Sequence, residues 1–134
     1  MQRILIAIAL AAAGVFAYLQ WFAEPAAPDY SIATIERRPI PKAEFFALWR
    51  ETALSFCPQA QKTFGLSPAA CEDYVRDKHA RCVAETGASA PALLSGKAES
   101  RRYARPYLDC VLPGYFCKGV EVRDFLEAAR HCRD

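Results

Sequence analysis

The chain has 134 residues, 53% of them hydrophobic, with 17 Lys or Arg against 15 Asp or Glu, and six cysteines. A dedicated polyanion binder carries a basic excess or a basic stripe, so this near balance speaks against a nucleic-acid partner. The length fits one small domain, which buries a limited core and gains from cross-links.

The first element is an uncharged apolar run, Ile4–Ala23, behind a single cation, Arg3. A helix of roughly 20 residues is about 30 Å long, the thickness of a bilayer core. Trp21 and Phe22 at its far end suit an interfacial aromatic anchor. A cleavable signal peptide has a shorter apolar stretch and small residues just before the cut. Here a cut after Ala23 places Trp21 near the scissile bond, and a cut after Ala27 meets Pro28. Residues 1–23 are therefore expected to form an uncleaved signal anchor, with residues 4–23 in the membrane; a removed signal peptide is the alternative. Arg3 precedes the run, whereas Glu24 and Asp29 follow it and no cation appears before Arg37. The positive end stays cytoplasmic. The expected topology is a single-pass inner-membrane protein with a cytoplasmic N-terminus and a periplasmic C-terminal domain. A protein released after cleavage and a mitochondrial inner-membrane protein facing the intermembrane space are the alternatives.

Residues 24–41 hold four prolines and no glycine. Such chain favours extended polyproline II at about 3.1 Å per residue, long enough for a stalk of up to about 55 Å. An ordered arm packed on the domain or on a partner is the other reading.

The remaining residues, 42–134, are expected to form an exported, disulfide-rich domain of about four helices, so the fold class is all-α after one transmembrane helix and a proline-rich linker. A first helix is predicted over Pro41–Phe56, with Phe45, Trp49, Thr52 and Phe56 at helical spacing and Phe46 and Ala53 beside them. Cys57-Pro58 ends it, because a residue before proline resists the α region. The second helix has the clearest bounds: Ser67 as N-cap, Pro68 as first helical residue, Gly87 as stop. Cys71, Tyr74, Val75, Lys78 and Cys82 fall near one stripe of it. Residues 88–96 read as a loop, or a short helix around Pro91–Leu94. A third helix is predicted over Lys97–Leu112, bent or broken near Pro106, with the cluster Arg101, Arg102 and Arg105 on a solvated face and an anion site as the other reading. A last helix is predicted over Val120–Cys132, burying Val122, Phe125, Leu126 and Ala129. No alternating strand pattern stands out; the one hairpin candidate is Val111–Phe116 around Pro113-Gly114.

Cys57, Cys71, Cys82, Cys110, Cys117 and Cys132 form an even set on the exported side, which points to disulfides. On one helix, Cys71 and Cys82 share a face but lie about 16 Å apart, beyond the roughly 7 Å Cα separation a disulfide allows. They do not pair with each other, so the second helix is stapled at both ends to other segments. A tight turn at Leu112-Pro113-Gly114-Tyr115 would set Cys110 facing Cys117; a helix corner there would send each to the second or last helix instead. No cysteine pair has the close spacing of a zinc site, a thioredoxin-type motif or haem attachment, so no metal or cofactor is expected. The spacings also fit neither the paired-cysteine helices of intermembrane-space coiled-coil–helix proteins nor saposin-like domains.

No catalytic set emerges. His79 lies mid-helix, His131 suits a helix C-terminus where a cation complements the dipole, and the neighbours Glu72 and Asp73 point about 100° apart. The serines sit in no nucleophile context and the glycines form no phosphate cradle. Aromatic residues are abundant, and Phe46, Tyr103, Tyr107, Tyr115 and Phe116 are candidate docking residues, with core packing as the other use. The expected function is a non-catalytic, membrane-anchored protein-binding or accessory subunit of an envelope complex on the oxidising side. An immunity protein or inhibitor of an exported toxin or hydrolase, and a small periplasmic enzyme or lipid or small-ligand carrier, are the alternatives.

Overall fold

A computed structural model of the chain describes residues 29–133. The predicted anchor Ile4–Ala23 and the start of the proline-rich segment lie outside the described residues. Among those described, no helix is long and apolar enough to cross a membrane.

The rest of the proline-rich segment is an ordered arm. Ser31 caps a single 3-10 turn, Ile32–Thr34, by accepting a hydrogen bond from the Ala33 N–H at 3.3 Å. Ile35 and Ile40 are fully buried in the domain core. The arm ends in β1, Ile40–Pro41, which pairs antiparallel with β2, Leu93–Leu94. The stretch 88–96 is thus loop and short strand rather than helix. Its β2 residues are drawn to the arm, where Leu94 is buried beside Ile40.

Helix α1 spans Lys42–Leu54. Pro41 precedes it as N-cap, and the Lys42 N–H bonds the Ala92 carbonyl across the short sheet at 2.9 Å. Phe45, Phe46 and Ala53 face the core. The expected stripe ran on to Phe56, but the helix stops at Leu54 and Phe56 is 46% exposed in the following turn. The chain then tightens through a 3-10 segment, Cys57–Gln59, with Pro58 in its first turn, and one helical turn, Ala60–Thr63.

Helix α2, Pro68–Thr86, has the bounds its sequence dictates. The Ser67 side chain accepts from the Ala70 N–H at 3.2 Å, and Gly87 closes it by donating to Val83 O. Gly87 also has a packing role. A Cβ there would lie 2.7 Å from Val83 O and 2.8 Å from Phe46 Cε2, so α1 could not approach so closely with any other residue.

Helix α3, Lys97–Val111, runs unbroken through Pro106. Proline removes one donor and crowds the preceding turn; here Pro106 and Arg102 are both exposed, so the freed Arg102 carbonyl faces water. Ser100, Tyr103, Ala104, Tyr107 and Val111 form the buried stripe.

The C-terminal part departs most from expectation. Val120–Val122 is a strand, β4, paired antiparallel with β3, Tyr115–Cys117. The turn is Lys118-Gly119, both with positive φ, 50° and 83°. That is the backbone of a two-residue hairpin turn whose twist matches its strands. Pro113-Gly114 merely leads from α3 into the hairpin. The last helix, α4, is only Phe125–His131. Asp124 accepts from the Glu127 N–H at 2.8 Å while Glu127 accepts from the Arg123 N–H at 2.8 Å, a reciprocal capping box that sets its start. Phe125 and Leu126, expected in the core, are 83% and 65% exposed, whereas Val122 is buried as a strand residue.

The domain is thus mostly helical, with four helices, one hairpin and one short antiparallel pairing between distant segments. Three disulfides tie it together: Cys57–Cys71, Cys82–Cys110 and Cys117–Cys132, with Cα separations of 5.4, 5.7 and 5.2 Å. Cys71 and Cys82 staple the two ends of α2 to different elements, as the helix geometry requires. The face-to-face pairing of Cys110 with Cys117 does not occur. Cys110 faces α2 from α3, while Cys117 lies in β3 and reaches Cys132 after α4.

Candidate functional site

The core of the domain is an aromatic stack. Phe46 contacts Phe45 edge-on at 5.3 Å between ring centroids and Tyr107 at 5.2 Å, and Trp49 extends the row at 6.2 Å from Phe45. Phe46, Tyr103 and Tyr107 are buried. These three candidate docking aromatics are core residues: α1 and α3 turn them inward, where each covers large apolar area. Tyr115 is exposed and Phe116 half-buried, so two of the five remain at the surface.

One concavity lies where α1 meets the side of α3 roughly opposite Tyr103 and Cys110. It is an open groove of about 490 Å³. Trp49, Ala104, Leu108 and Leu112 make its floor, and Arg101, Arg105 and Asp109 make its rim. The Trp49 Nε1 atom is buried and has no hydrogen-bond acceptor among the described residues. A second hollow of about 570 Å³ shares Leu108, Asp109 and Leu112 and continues the trough over Phe64, Tyr115 and Val122 to Arg123. Trp49 is half-buried where the expected stripe of α1 leaves the core, and Ala104 and Leu108 of α3 and its C-cap Leu112 recur every four positions.

A polar clamp closes the far end of this trough. The Tyr74 hydroxyl donates to the Glu121 carboxylate at 3.0 Å, and Gly114 N–H donates to Glu121 Oε1 at 2.7 Å. Arg123 donates to Glu121 at 2.9 Å, to Tyr74 Oη at 3.0 Å, and to the Asp109 and Leu112 carbonyls at 3.0 and 3.1 Å. A guanidinium here satisfies carbonyls that the end of α3 leaves unpaired. Burial pushes the Glu121 carboxyl up, but the Gly114, Tyr74 and Arg123 donors outweigh it and hold it below its usual range. Burial raises the Tyr74 phenol, keeping it a donor. Each polar group of the clamp is spent on another, so it fixes the β3–β4 hairpin on α2 and α3.

A second buried polar contact joins α2 to α3. His79 Nδ1 lies 2.8 Å from the Tyr107 hydroxyl. Burial, then the nearby Arg50 charge, lowers the His79 pKa. Burial pushes the Tyr107 phenol up to about 12. One hydrogen bond joins imidazole and phenol, its direction set by the imidazole tautomer, and the pair satisfies two polar groups inside the helix packing. His131 lies in the exposed last turn of α4, far along the chain from this pair. Glu72 pairs with Arg76 on the outer face of α2 at 2.8 Å. Among the described residues, no cluster of three His, Cys, Asp or Glu side chains could hold a metal ion.

No protein-family model, curated protein or solved structure matches the chain. The groove, the clamp and the disulfide pattern therefore stand on their own geometry.

The groove was not assembled from the sequence. Trp49 reads there as a core residue and the arginines as a solvated helix face. The readable signal was the overlap of two stripes along the third helix: Leu108 and Leu112 lie on a side that Tyr103 and Tyr107 do not use, and the buried Ala104 sits between the two.

Proposed function

We propose that the chain is a non-catalytic, membrane-tethered protein-binding or accessory subunit that works on the oxidising side of a membrane. The observation that carries this reading is the open apolar groove of α3 and α1, presented on helices braced by cross-links at both ends of α2. Uncovered apolar concavities with polar rims mark interaction sites, and rigid elements bind with little ordering cost. Disulfides persist in oxidising compartments, and the apolar run Ile4–Ala23 supplies a tether to a bilayer. An immunity protein or inhibitor would use the same surface. A small-ligand or lipid carrier is the second reading, favoured by a groove volume within the range of small-molecule pockets.

The test is a photo-crosslinking residue at Leu108 in the full chain, in intact cells, beside a control chain carrying it at the exposed Arg130. A discrete protein adduct from position 108 alone supports the docking reading, and a lipid adduct favours the carrier. If position 108 yields no adduct and mild-detergent purification returns only this chain at several expression levels, the proposal fails. N-terminal sequencing of the mature protein tests the tether separately.

A further inference from the structure

We propose that the groove along α3 receives an amphipathic helix of a partner protein that presents carboxylates to Arg101 and Arg105. This deepens the docking reading above and rests on it.

The floor gives the shape of the occupant. Ala104 and Leu108 of α3 and its C-cap Leu112 recur every four residues, so the apolar strip follows the last two turns of α3 for about 12 Å, with Trp49 alongside. An amphipathic helix offers apolar anchors at the matching spacing of three to four residues, and helix-in-groove recognition uses this geometry.

The rim gives its charge. Arg101 and Arg105 are exposed, one turn apart, and have no ion pair among the described residues. Two unpaired guanidiniums beside an apolar floor suit carboxylates, which they bind through planar, bidentate hydrogen bonds. One turn further on, Asp109 reverses the sign of the rim. An anionic acyl chain would satisfy the arginines but has nothing to offer Asp109. A helix can carry acids at one end and a cation at the other, so the Arg-Arg-Asp order selects a helix and orients it. Its acidic end lies beside Arg101.

The experiment uses the full chain in lipid nanodiscs with Trp21→Phe, which leaves Trp49 as the one tryptophan of the two in the sequence. The probes are two synthetic helix-forming peptides with identical leucine anchors. One carries Glu at one end of the anchors and Lys at the other; the second carries Lys at both ends. Titration of Trp49 emission should show the Glu-bearing peptide binding about tenfold more tightly, and Arg101→Glu with Arg105→Glu should invert the order. Both positions are solvent-exposed, and near-ultraviolet circular dichroism checks that the variant is folded. Should it misfold, the comparison of the two peptides on the Trp21→Phe chain decides alone. Equal affinities, a preference that survives the charge reversal, or saturation of the Trp49 response by oleate at lower concentration than either peptide would each overturn the proposal. The cellular crosslink separates the two layers. A protein adduct at Leu108 that is undiminished by the charge reversal sinks the acidic helix and leaves the docking reading standing; absence of any protein adduct removes both.

Discussion

The body of the domain and its C-terminal appendage are held by different physics. In the body, the arm and helices α1–α3 surround a continuous apolar core from Ile35 to Val111, and two disulfides pin α2 to its neighbours. In the appendage, the β3–β4 hairpin and α4 bury little beyond Cys117 and Val122. The Tyr74–Glu121–Arg123 clamp attaches it to the body, and the Cys117–Cys132 disulfide closes the appendage on itself. Burial can stabilise the body even where a single contact is lost. The appendage depends on a few directional contacts, so it should open on its own, at lower free energy than the whole domain.

The largest effect that would sharpen this contrast is in the core. Tyr107 is fully buried, touches Phe46, and shares a hydrogen bond with His79. Tyr107→Ala removes a ring and leaves the imidazole without its partner, and should cost about 3–5 kcal/mol. Chemical denaturation reads this directly; a loss under about 1 kcal/mol would mean the body is not the stable unit.

Next come the cystines, removed pairwise. Cys82→Ala with Cys110→Ala should lower global stability by about 2–4 kcal/mol, because it unties α3 from α2. Cys117→Ala with Cys132→Ala should instead raise amide exchange in β3, β4 and α4 while the body keeps its melting midpoint within a few degrees. Equal global losses from both pairs would show that body and appendage unfold as one unit.

How much of this was legible varies along the chain for identifiable reasons. Helix α2 could be bounded residue by residue, since Ser67, Pro68 and Gly87 act locally through capping and φ restriction. The exclusion of a Cys71–Cys82 bond followed from helix geometry alone. The appendage was misread because its apolar residues at 122, 125, 126 and 129 fit a helical period. Two short-range signals opposed that reading. Lys118-Gly119 forms a hairpin turn without the usual Asn or Asp, and the Asp124–Glu127 capping box starts the helix after the strand. The groove needs α1 and α3 side by side, a tertiary relation no local pattern encodes. The clamp is still less visible, since it joins Tyr74 to residues 47 positions or more away.

Acid should act on the body before it acts on the appendage. His79 has a folded-state pKa below its usual 6.5. Below that value the unfolded chain takes up a proton that the folded chain resists, so stability falls as pH drops through the window beneath about 6.5. Glu121, held below its usual 4.5, gives stability that is present above that value and lost only at more acid pH. The melting midpoint should therefore decline in two stages. His79→Gln should flatten the first while leaving the second, and a single decline beginning only near the carboxylate range would remove the role assigned to His79.

The smallest expected effect bears on what the exposed apolar side chains of α4 are for. Phe125 and Leu126 are mostly exposed and contribute little burial to lose, so Phe125→Ser with Leu126→Ser should change stability by no more than about 0.5 kcal/mol. The capping box at Asp124 and Glu127 and the Cys117–Cys132 link should hold α4 in place without them. Amide exchange of residues 125–131 checks this. Unchanged protection would show that α4 is positioned by its cap and its cystine, leaving its apolar face without a structural duty in the isolated domain. Lost protection would mean that these side chains pack on the hairpin in solution, and the division between an apolar body and a polar-clamped appendage would have to be redrawn.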